Sequence, residues 1–213
     1  MPFRGARGGR PPDDRPRGRG GGPARPPRLR GVGRRRHVLG RRAARTARLL
    51  LAALEACRQK GLHVAVDTCG AAPREVVLAA AARADLLLWD VKTLDPERHR
   101  DLTGVPLEPI LANLAAVSRT GVPIWLRLPI VPGVSDDPVH VARAVALAER
   151  TSSVARVSLL PFHRTANGKR ERLGKAPTAA EEALSGAPSP APERMAALAA
   201  LFAPTGLTIT IGG

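Results

Sequence analysis

The chain has 213 residues, a formal net charge of +16 and two cysteines. Residues 1–48 contain sixteen Arg and two Asp but no Lys or Glu, a balance of +14, so residues 49–213 are nearly neutral at +2. The basic charge is therefore concentrated in an N-terminal tail. The net charge of the whole chain gives no information about what residues 49–213 bind.

The composition of residues 49–213 predicts one domain, because Ala, Leu and Val supply enough apolar side chains for a core. Every apolar run is interrupted by Arg, Asp or Glu, so none reaches the roughly eighteen uncharged residues that a membrane helix needs. The N-terminal segment is too rich in Gly and Pro for an amphipathic targeting helix. We therefore expect a soluble, cytoplasmic protein with a disordered basic segment at residues 1–48.

From residue 49 onward, apolar runs bounded by Gly and Pro alternate with helical patterns. Helices are predicted at 49–60, 73–83, 108–119, 136–150 and 193–202, strands at 64–67, 86–90, 122–128, 154–160 and 207–211, and a loop at 164–192. Gly61 is a helix-ending signal, and Pro73 is typical of a first helical turn. A strict alternation of strands and helices predicts an α/β fold with a parallel sheet.

Polar and ionisable residues stand at the ends of four predicted strands. They are Asp67 and Thr68 at the first strand, Asp90 and Lys92 at the second, Arg127 at the third and His163 at the fourth. In β/α barrels, the carboxyl ends of the parallel strands meet at one face and build the active site there. We therefore predict that these residues form an enzyme site.

Most of these residues also have a structural interpretation. An Asp at a strand end often caps a helix or forms a turn, Lys92 alone is typical of a solvated loop, and His163 of a hydrogen-bonded loop histidine. Arg127 is also compatible with a structural salt bridge. Asp67 and Asp90 together favour function, because two carboxylates at one barrel mouth repel unless a cation or ammonium lies between them.

Seven short segments follow one another in a recognisable order. They are residues 61–70 (GLHVAVDTCG), 88–92 (LWDVK), 103–105 (TGV), 110–114 (ILANL), 127–133 (RLPIVPG), 159–163 (LLPFH) and 211–213 (IGG). Together they resemble the glycyl-radical-enzyme activating proteins, the pyruvate formate-lyase activase group of radical SAM enzymes. The resemblance covers residues 49–213.

The resemblance implies an incomplete (β/α)6 partial barrel that binds S-adenosylmethionine (SAM) beside a [4Fe-4S] cluster. In that family, flavodoxin or ferredoxin supplies the electron with which the cluster cleaves SAM. The resulting 5′-deoxyadenosyl radical takes a hydrogen atom from a glycine of a partner glycyl-radical enzyme. The cofactors carry this chemistry, and the protein supplies position and exclusion of water.

The resemblance also assigns roles to the strand-end residues. By position in the motifs, Asp67, Thr68 and Asp90 form a site for a monovalent cation and the SAM carboxylate, Lys92 meets that carboxylate, His163 meets the nucleoside, and Arg127 lines the cleft near SAM or the substrate loop. Which glycyl-radical enzyme is the partner stays open, with a formate-lyase and a diol dehydratase among the alternatives.

The cluster-binding part of the family has no counterpart here. Its Cys-x3-Cys-x2-Cys motif is absent, as is the Gly-Gly-Glu-Pro segment that holds the SAM amino group. Cys57 and Cys69 are twelve residues apart within predicted barrel elements, so the usual thiolates cannot ligate a [4Fe-4S] cluster. We interpret Cys69 as a packing residue, since nothing cationic adjoins it, and His63, His99 and His140 as structural.

From this absence we predict a fragment that is inactive as written and that gains no brown colour on iron-sulfur reconstitution. Without the first barrel strands, strand 64–67 has a free parallel edge that helix 49–57 covers only in part. A free edge favours aggregation, so marginal solubility is expected.

Codons chosen for residues 28–43 suggest how the missing part was lost. With GC-rich wobble bases, reading from the second base of the Arg28 codon can spell a peptide that ends Val-Thr-Phe-Ser-Gly-Gly-Glu-Pro. This peptide matches the family's missing SAM-binding strand and falls just before the helix where that strand belongs. We hypothesise that residues 1–47 are an out-of-frame translation of the activase N-terminal half.

Two other classes of function stay open. An Arg/Gly/Pro-rich arm is typical of disordered nucleic-acid binders, but residues 1–48 contain one aromatic, Phe3, and lack stacking platforms, which disfavours this partner. Sequence- or structure-selective RNA binding at physiological salt would support it. The third class is a different SAM- or phosphate-binding α/β enzyme, since a fold alone fixes no function. Turnover without iron would distinguish it.

Overall fold

The computed structural model describes residues 41–162 and 187–212, with side chains from residue 45 onward. His163, Gly213, the first forty residues and most of the predicted 164–192 loop lie outside the described residues. Within the described ranges, no helix has both the length and the apolar character to cross a membrane.

The described residues form helices that alternate with strands. In chain order they are α1 (Arg41–Gln59), β1 (Ala65–Thr68), α2 (Arg74–Ala81), β2 (Leu86–Asp90), α3 (Pro96–Thr103), α4 (Glu108–Ser118), β3 (Ile124–Ile130), α5 (Pro138–Glu149), β4 (Val154–Pro161), α6 (Pro192–Ala200) and β5 (Thr208–Ile211). The strands form one sheet in the order β1-β2-β3-β4-β5, and each neighbouring pair is parallel. The predicted α/β fold with a parallel sheet is confirmed.

Most element boundaries differ from the sequence prediction by one or two residues, and the start of α1 differs by eight. Helix α1 begins at Arg41 and not at Leu49, since residues 41–48 consist mostly of Arg and Ala, which are strong helix formers. Strand β3 runs to Ile130, beyond the predicted end at residue 128, because pairing with β4 continues through Pro129. Helix α3, a segment without a predicted type, is capped by Asp95, whose side chain accepts from the Arg98 amide.

One face of the sheet is apolar and covered by helices. Its buried side chains are Leu87, Trp89, Ile124, Leu126, Leu128, Ile130, Val157 and Leu159. They form one cluster with residues of α2, α4, α5 and α6, among them Val77, Leu114, Val141 and Leu198. We call this side the covered face. Fully burying one such large apolar side chain contributes about 1.5–3 kcal/mol.

The opposite face is largely polar and less buried. Successive strand residues point to opposite sides, and the parallel register aligns them in two rows. One row is Asp67, Leu88, Trp125, Arg156 and Thr208, and the other is Asp90, Arg127, Ser158 and Thr210. We call these nine residues the open face. It carries three of the functional candidates, Asp67, Asp90 and Arg127. Parallel sheets are ordinarily covered on both sides, so this polar face is available to a ligand or to further protein.

Strand β1 lies at one edge of the sheet. In the part of the chain that the structure describes, it pairs with β2 on one side only. A groove of about 240 Å³ runs along it, with Leu50 and Leu54 of α1 on its wall and Trp89 among its lining residues. This arrangement is the free parallel edge that the sequence predicted. The expected marginal solubility stays a prediction.

Candidate ligand-binding site at the ends of β1 and β2

Four of the predicted site residues meet in one network of ion pairs. The Arg127 guanidinium bridges two strands, since Nη2 lies 2.5 Å from Asp67 Oδ1 and Nε lies 2.7 Å from Asp90 Oδ1. Lys92 Nζ donates to the other Asp90 oxygen, Oδ2, at 2.8 Å. Two carboxylates and two cations are therefore in direct contact.

The sheet register explains how these residues meet. Asp90 is the last residue of β2 and lies beside Arg127 of β3, so their side chains share a face. Asp67 of β1 lies beside Leu88, one position earlier in the sheet. The long guanidinium side chain spans this offset, because it offers several donors in a rigid plane. Lys92 follows β2 by two residues and reaches back to Asp90.

The network has a shielded part and a solvated part. The side chains of Asp90 and Arg127 are 16% and 19% exposed, whereas those of Asp67 and Lys92 are 62% and 45% exposed. Burial lowers the pKa of Arg127, but hydrogen bonds to Asp67 and Asp90 and their negative charges outweigh it, so the pKa is raised overall. Arg127 is therefore held in its charged form between the two carboxylates.

The sequence indicated that Asp67 and Asp90 repel each other unless a cation or ammonium lies between them. The structure supplies one from the chain itself, and the alternative interpretation of Arg127 as a salt-bridged arginine agrees with this geometry. Both carboxylate oxygens of Asp90 already have a cationic partner. An external cation or ammonium group therefore either shares this carboxylate with Arg127 and Lys92 or displaces one of them.

The structure does not bring the other two predicted residues into this network. The Thr68 side chain lies on the opposite side of β1 from Asp67, and its Oγ1 accepts a hydrogen bond from the Gly70 amide at 2.9 Å. It therefore supports the loop after the strand. His163 lies outside the described residues.

Sequence reasoning missed four open-face residues. The Arg156 guanidinium lies 3.9 Å from the centre of the Trp125 ring, and Ser158 Oγ lies 2.9 Å from Thr210 Oγ1. A cation over an indole face is attracted by the ring electrons. In the sheet register, Ser158 lies beside Arg127 and Thr210 beside Ser158, while Trp125 and Arg156 form the neighbouring row of the open face. The available signal was period-two spacing, which puts Trp125 and Arg127 on one face.

Two of the histidines that were interpreted as structural lie on helices, are buried and make hydrogen bonds to the backbone of neighbouring loops. His99 Nδ1 lies 2.9 Å from the Val105 carbonyl, and His140 Nδ1 accepts from the Leu94 amide at 3.4 Å. Burial lowers the pKa of His140. His63 is exposed.

The residues present do not fit a [4Fe-4S] cluster. The whole sequence has two cysteines, and both Cys57 and Cys69 are free thiols. Among residues 41–162 and 187–212, no group of three His, Cys, Asp or Glu side chains is arranged to hold a metal ion. The charged network, in contrast, offers hydrogen-bond donors and acceptors of both charges, which suit a ligand that carries a carboxylate and an ammonium group.

Comparison with known proteins agrees with this architecture. The profile of the Radical SAM superfamily matches residues 37–145. The benzylsuccinate synthase activating enzyme of Thauera aromatica is 35% identical over 72% of this chain and 46% of its own length. The choline trimethylamine-lyase activating enzyme of Oleidesulfovibrio alaskensis is 38% identical over 57% of this chain and 40% of its own.

Among solved structures, a domain of the pyruvate-formate lyase-activating enzyme from Bacteroides vulgatus matches with a TM-score of 0.65 at 27% identity. The match covers 79% of this chain and 92% of that domain. The chain therefore spans nearly all of one solved domain but less than half the length of the two activating enzymes from Thauera and Oleidesulfovibrio.

Proposed function

The chain belongs to the radical SAM superfamily, and we propose that its open face binds the amino-acid end of SAM as the C-terminal part of a glycyl-radical-enzyme activating protein. The observation that carries this proposal is the network of two carboxylates and two cations at the strand ends. The names of the relatives, which are activating enzymes of several different lyases and synthases, supply the choice of reaction class.

The network suits a zwitterionic ligand. The SAM carboxylate can take the place of Asp90 at Lys92 and Arg127, while an ammonium group or monovalent cation takes the place of Arg127 at Asp67 and Asp90. The exchange breaks the three ion pairs of the network and forms four charged contacts with the ligand, so no charge is left unpaired in the shielded part of the site. The proposal keeps the predicted contact of His163 with the nucleoside.

The proposal does not include turnover by the chain as written, because its two cysteines cannot supply three cluster thiolates. We propose that the complete protein acts in the cytoplasm on a glycyl-radical enzyme and takes its electron from flavodoxin or ferredoxin. Iron-sulfur reconstitution of this chain is expected to give no brown colour. A broad [4Fe-4S] absorption would contradict that expectation.

We also propose that residues 1–47 are an out-of-frame translation. The gene decides this directly. If the Arg36–Leu39 codons cannot be reread as Val-Thr-Phe-Ser, the hypothesis is wrong.

Tryptophan fluorescence tests ligand binding in the full chain. The sequence has two tryptophans: Trp125 shares the open face with Arg127, and Trp89 directly precedes Asp90. Titration with SAM is expected to give a saturable change. Asp90→Asn and Lys92→Ala should each weaken binding about tenfold, the effect of losing one charge-assisted contact.

Matched controls separate the site from general charge effects. Asp101→Asn and Lys60→Ala remove the same charges from exposed positions on helix α3 and just after α1, and they should leave SAM affinity unchanged. If SAM gives no saturable response, the proposal is wrong. A response to inorganic phosphate but not to SAM favours the phosphate-binding alternative.

A further inference from the structure

The loop between β1 and α2 is held by contacts from two other elements. Residues 69–73 connect Asp67 and Thr68 to α2, and Gly70 within them has φ +73°, a conformation that glycine adopts readily. Inside the loop, the Gly70 amide donates to Thr68 Oγ1 and the Ala72 amide donates to the Gly70 carbonyl, both at 2.9 Å. These bonds join residues within the loop or next to it, so contacts from other elements are needed to hold the loop against the rest of the fold.

Helix α4 supplies the first outside contact. Asn113 is 4% exposed, and its Nδ2 donates to the carbonyls of Gly70 and Ala72, each at 2.9 Å. A buried amide is costly unless its hydrogen bonds are satisfied, and this one spends both hydrogens of its amide nitrogen on the loop. The bonds join residues more than forty positions apart in the chain.

Strand β2 supplies the second contact. A Cβ atom at Gly70 would lie 2.2 Å from Cζ2 of Trp89, so the indole ring packs directly on the loop backbone. Trp89 is fully buried and immediately precedes Asp90 in β2. The loop after Asp67 is therefore packed against the residue next to the second carboxylate of the network.

We propose that Asn113 is a positioning residue of the SAM site: by clamping Gly70 and Ala72 against Trp89, it fixes the carboxyl end of β1 and so the placement of Asp67 and Thr68. The side-chain hydrogen bonds of Asn113 go to the loop carbonyls and not to the four charged side chains, so it acts through the loop. This inference rests on the proposed function. It extends the site to a helix whose residues sequence analysis had treated only as part of a motif.

The two cysteines provide a readout that does not depend on SAM. Cys69 lies in the clamped loop, whereas Cys57 lies in helix α1, and both are partly exposed free thiols. In the full chain, Asn113→Ala should raise the rate at which dithiodipyridine labels Cys69 about tenfold relative to Cys57, because the open form of the loop becomes more populated. The same variant should weaken SAM binding about tenfold.

Ser118→Ala is the matched control for a general loss of stability. Ser118 is also a buried polar residue of α4, but its hydroxyl contacts Ser152 and Ser153, not the loop. It should leave both the labelling ratio and SAM affinity unchanged. Asn113→Gln keeps the two donors and should restore part of the parent behaviour.

Asn113→Asp sharpens the test and replaces the alanine variant if that one does not fold. The introduced carboxylate faces two carbonyls without a donor, so labelling of Cys69 should be fast near neutral pH. It should slow relative to Cys57 on acidification, since the protonated carboxyl donates one hydrogen bond. A simple loss of packing has no such pH dependence.

The outcomes separate this inference from the proposed function. Failure of the parent chain to bind SAM overturns the proposed function and with it the SAM role of Asn113, whatever the labelling shows. If the parent binds SAM, an unchanged labelling ratio in Asn113→Ala overturns the clamp. A higher ratio with unchanged SAM affinity overturns the positioning role.

Discussion

The two faces of the sheet bury different kinds of side chain. The covered face packs branched apolar residues and Trp89 against four helices, and its largest side chains are fully buried. The open face carries charged and hydroxyl groups in aligned rows, with Arg127 and Asp90 only partly shielded. Parallel sheets are ordinarily covered on both faces, so a polar, partly exposed face is available to bind a ligand or further protein.

The ion pairs of the open face are a weak source of stability. Moving Asp90 and Arg127 out of water costs free energy that their attraction offsets only in part, and Asp67 and Lys92 remain solvated. The covered face therefore carries most of the folding free energy. Substitutions matched across the two faces test this division.

The largest expected effect is a leucine deletion on the covered face. Leu126→Ala removes a fully buried side chain of β3 and should lower the free energy of unfolding by about 2–5 kcal/mol. Leu88→Ala makes the same change on the open face, where the side chain is only partly buried, and should cost about 1 kcal/mol or less. Urea unfolding measures both. Equal losses would contradict the division between the faces.

Much of the fold could be predicted from the sequence. Apolar residues between Gly and Pro located each strand, because one face of every strand packs against the helices of the covered face. The start of α1 was missed because an Arg/Ala stretch resembles the basic tail in composition while having high helix propensity. The end of β3 was missed because Pro129 normally interrupts a ladder, yet here the strand continues beside β4.

The candidate site was predictable only in part. Strand-end position brings Asp67 and Asp90 together, since parallel strands end at one edge, and the register of β3 puts Arg127, in the middle of that strand, beside Asp90. Which side of a strand a residue faces depends on register, and this decides that Thr68 supports a loop. The contact of Asn113 with that loop joins distant parts of the chain, so local pattern contains no signal for it.

A glycine substitution tests how closely the covered face packs against the site loop. Gly70→Ala introduces a Cβ 2.2 Å from the Trp89 ring at a positive φ, whereas Gly61→Ala meets the same backbone conformation in open space. Conformational strain of about 1 kcal/mol applies to both. The clash should make Gly70→Ala about 1–3 kcal/mol worse than Gly61→Ala in urea unfolding. Equal losses would mean that the indole ring moves aside at no cost.

Charge neutralisation compares the shielded and solvated parts of the open face. Asp90→Asn removes the carboxylate shared by Arg127 and Lys92 and should lower the free energy of unfolding by about 1–2 kcal/mol. Asp67→Asn acts on a side chain that is 62% exposed, so its effect should stay under about 0.5 kcal/mol. A larger loss for Asp67→Asn than for Asp90→Asn would mean that the ion pair between Asp67 and Arg127 contributes more to stability than the ion pairs of Asp90.

The smallest expected effect is the pH response of His140 on α5. Burial lowers its pKa in the folded chain; among the neighbouring charges, Asp137 and Asp95 raise the pKa, while Arg143 and Arg98 lower it. The unfolded chain therefore takes up the proton first as pH falls. Stability from neutral His140 is complete above about pH 6.5 and is lost as pH falls below it, by at most about 1.4 kcal/mol per pH unit.

Urea unfolding of the parent and of His140→Gln at pH 7.5 and pH 5.5 checks this, with His63→Gln as the control that removes an exposed imidazole. The parent and the His63 variant should lose more stability on acidification than the His140 variant. Asp95 does not interfere, because the backbone hydrogen bond from Arg98 lowers its pKa below the ordinary value of 3.8. Its contribution to the pH dependence of stability therefore lies below the pH range of this experiment. Identical pH profiles for all three proteins would mean that the imidazole of His140 is hydrated or protonated at no cost inside the covered side of the fold.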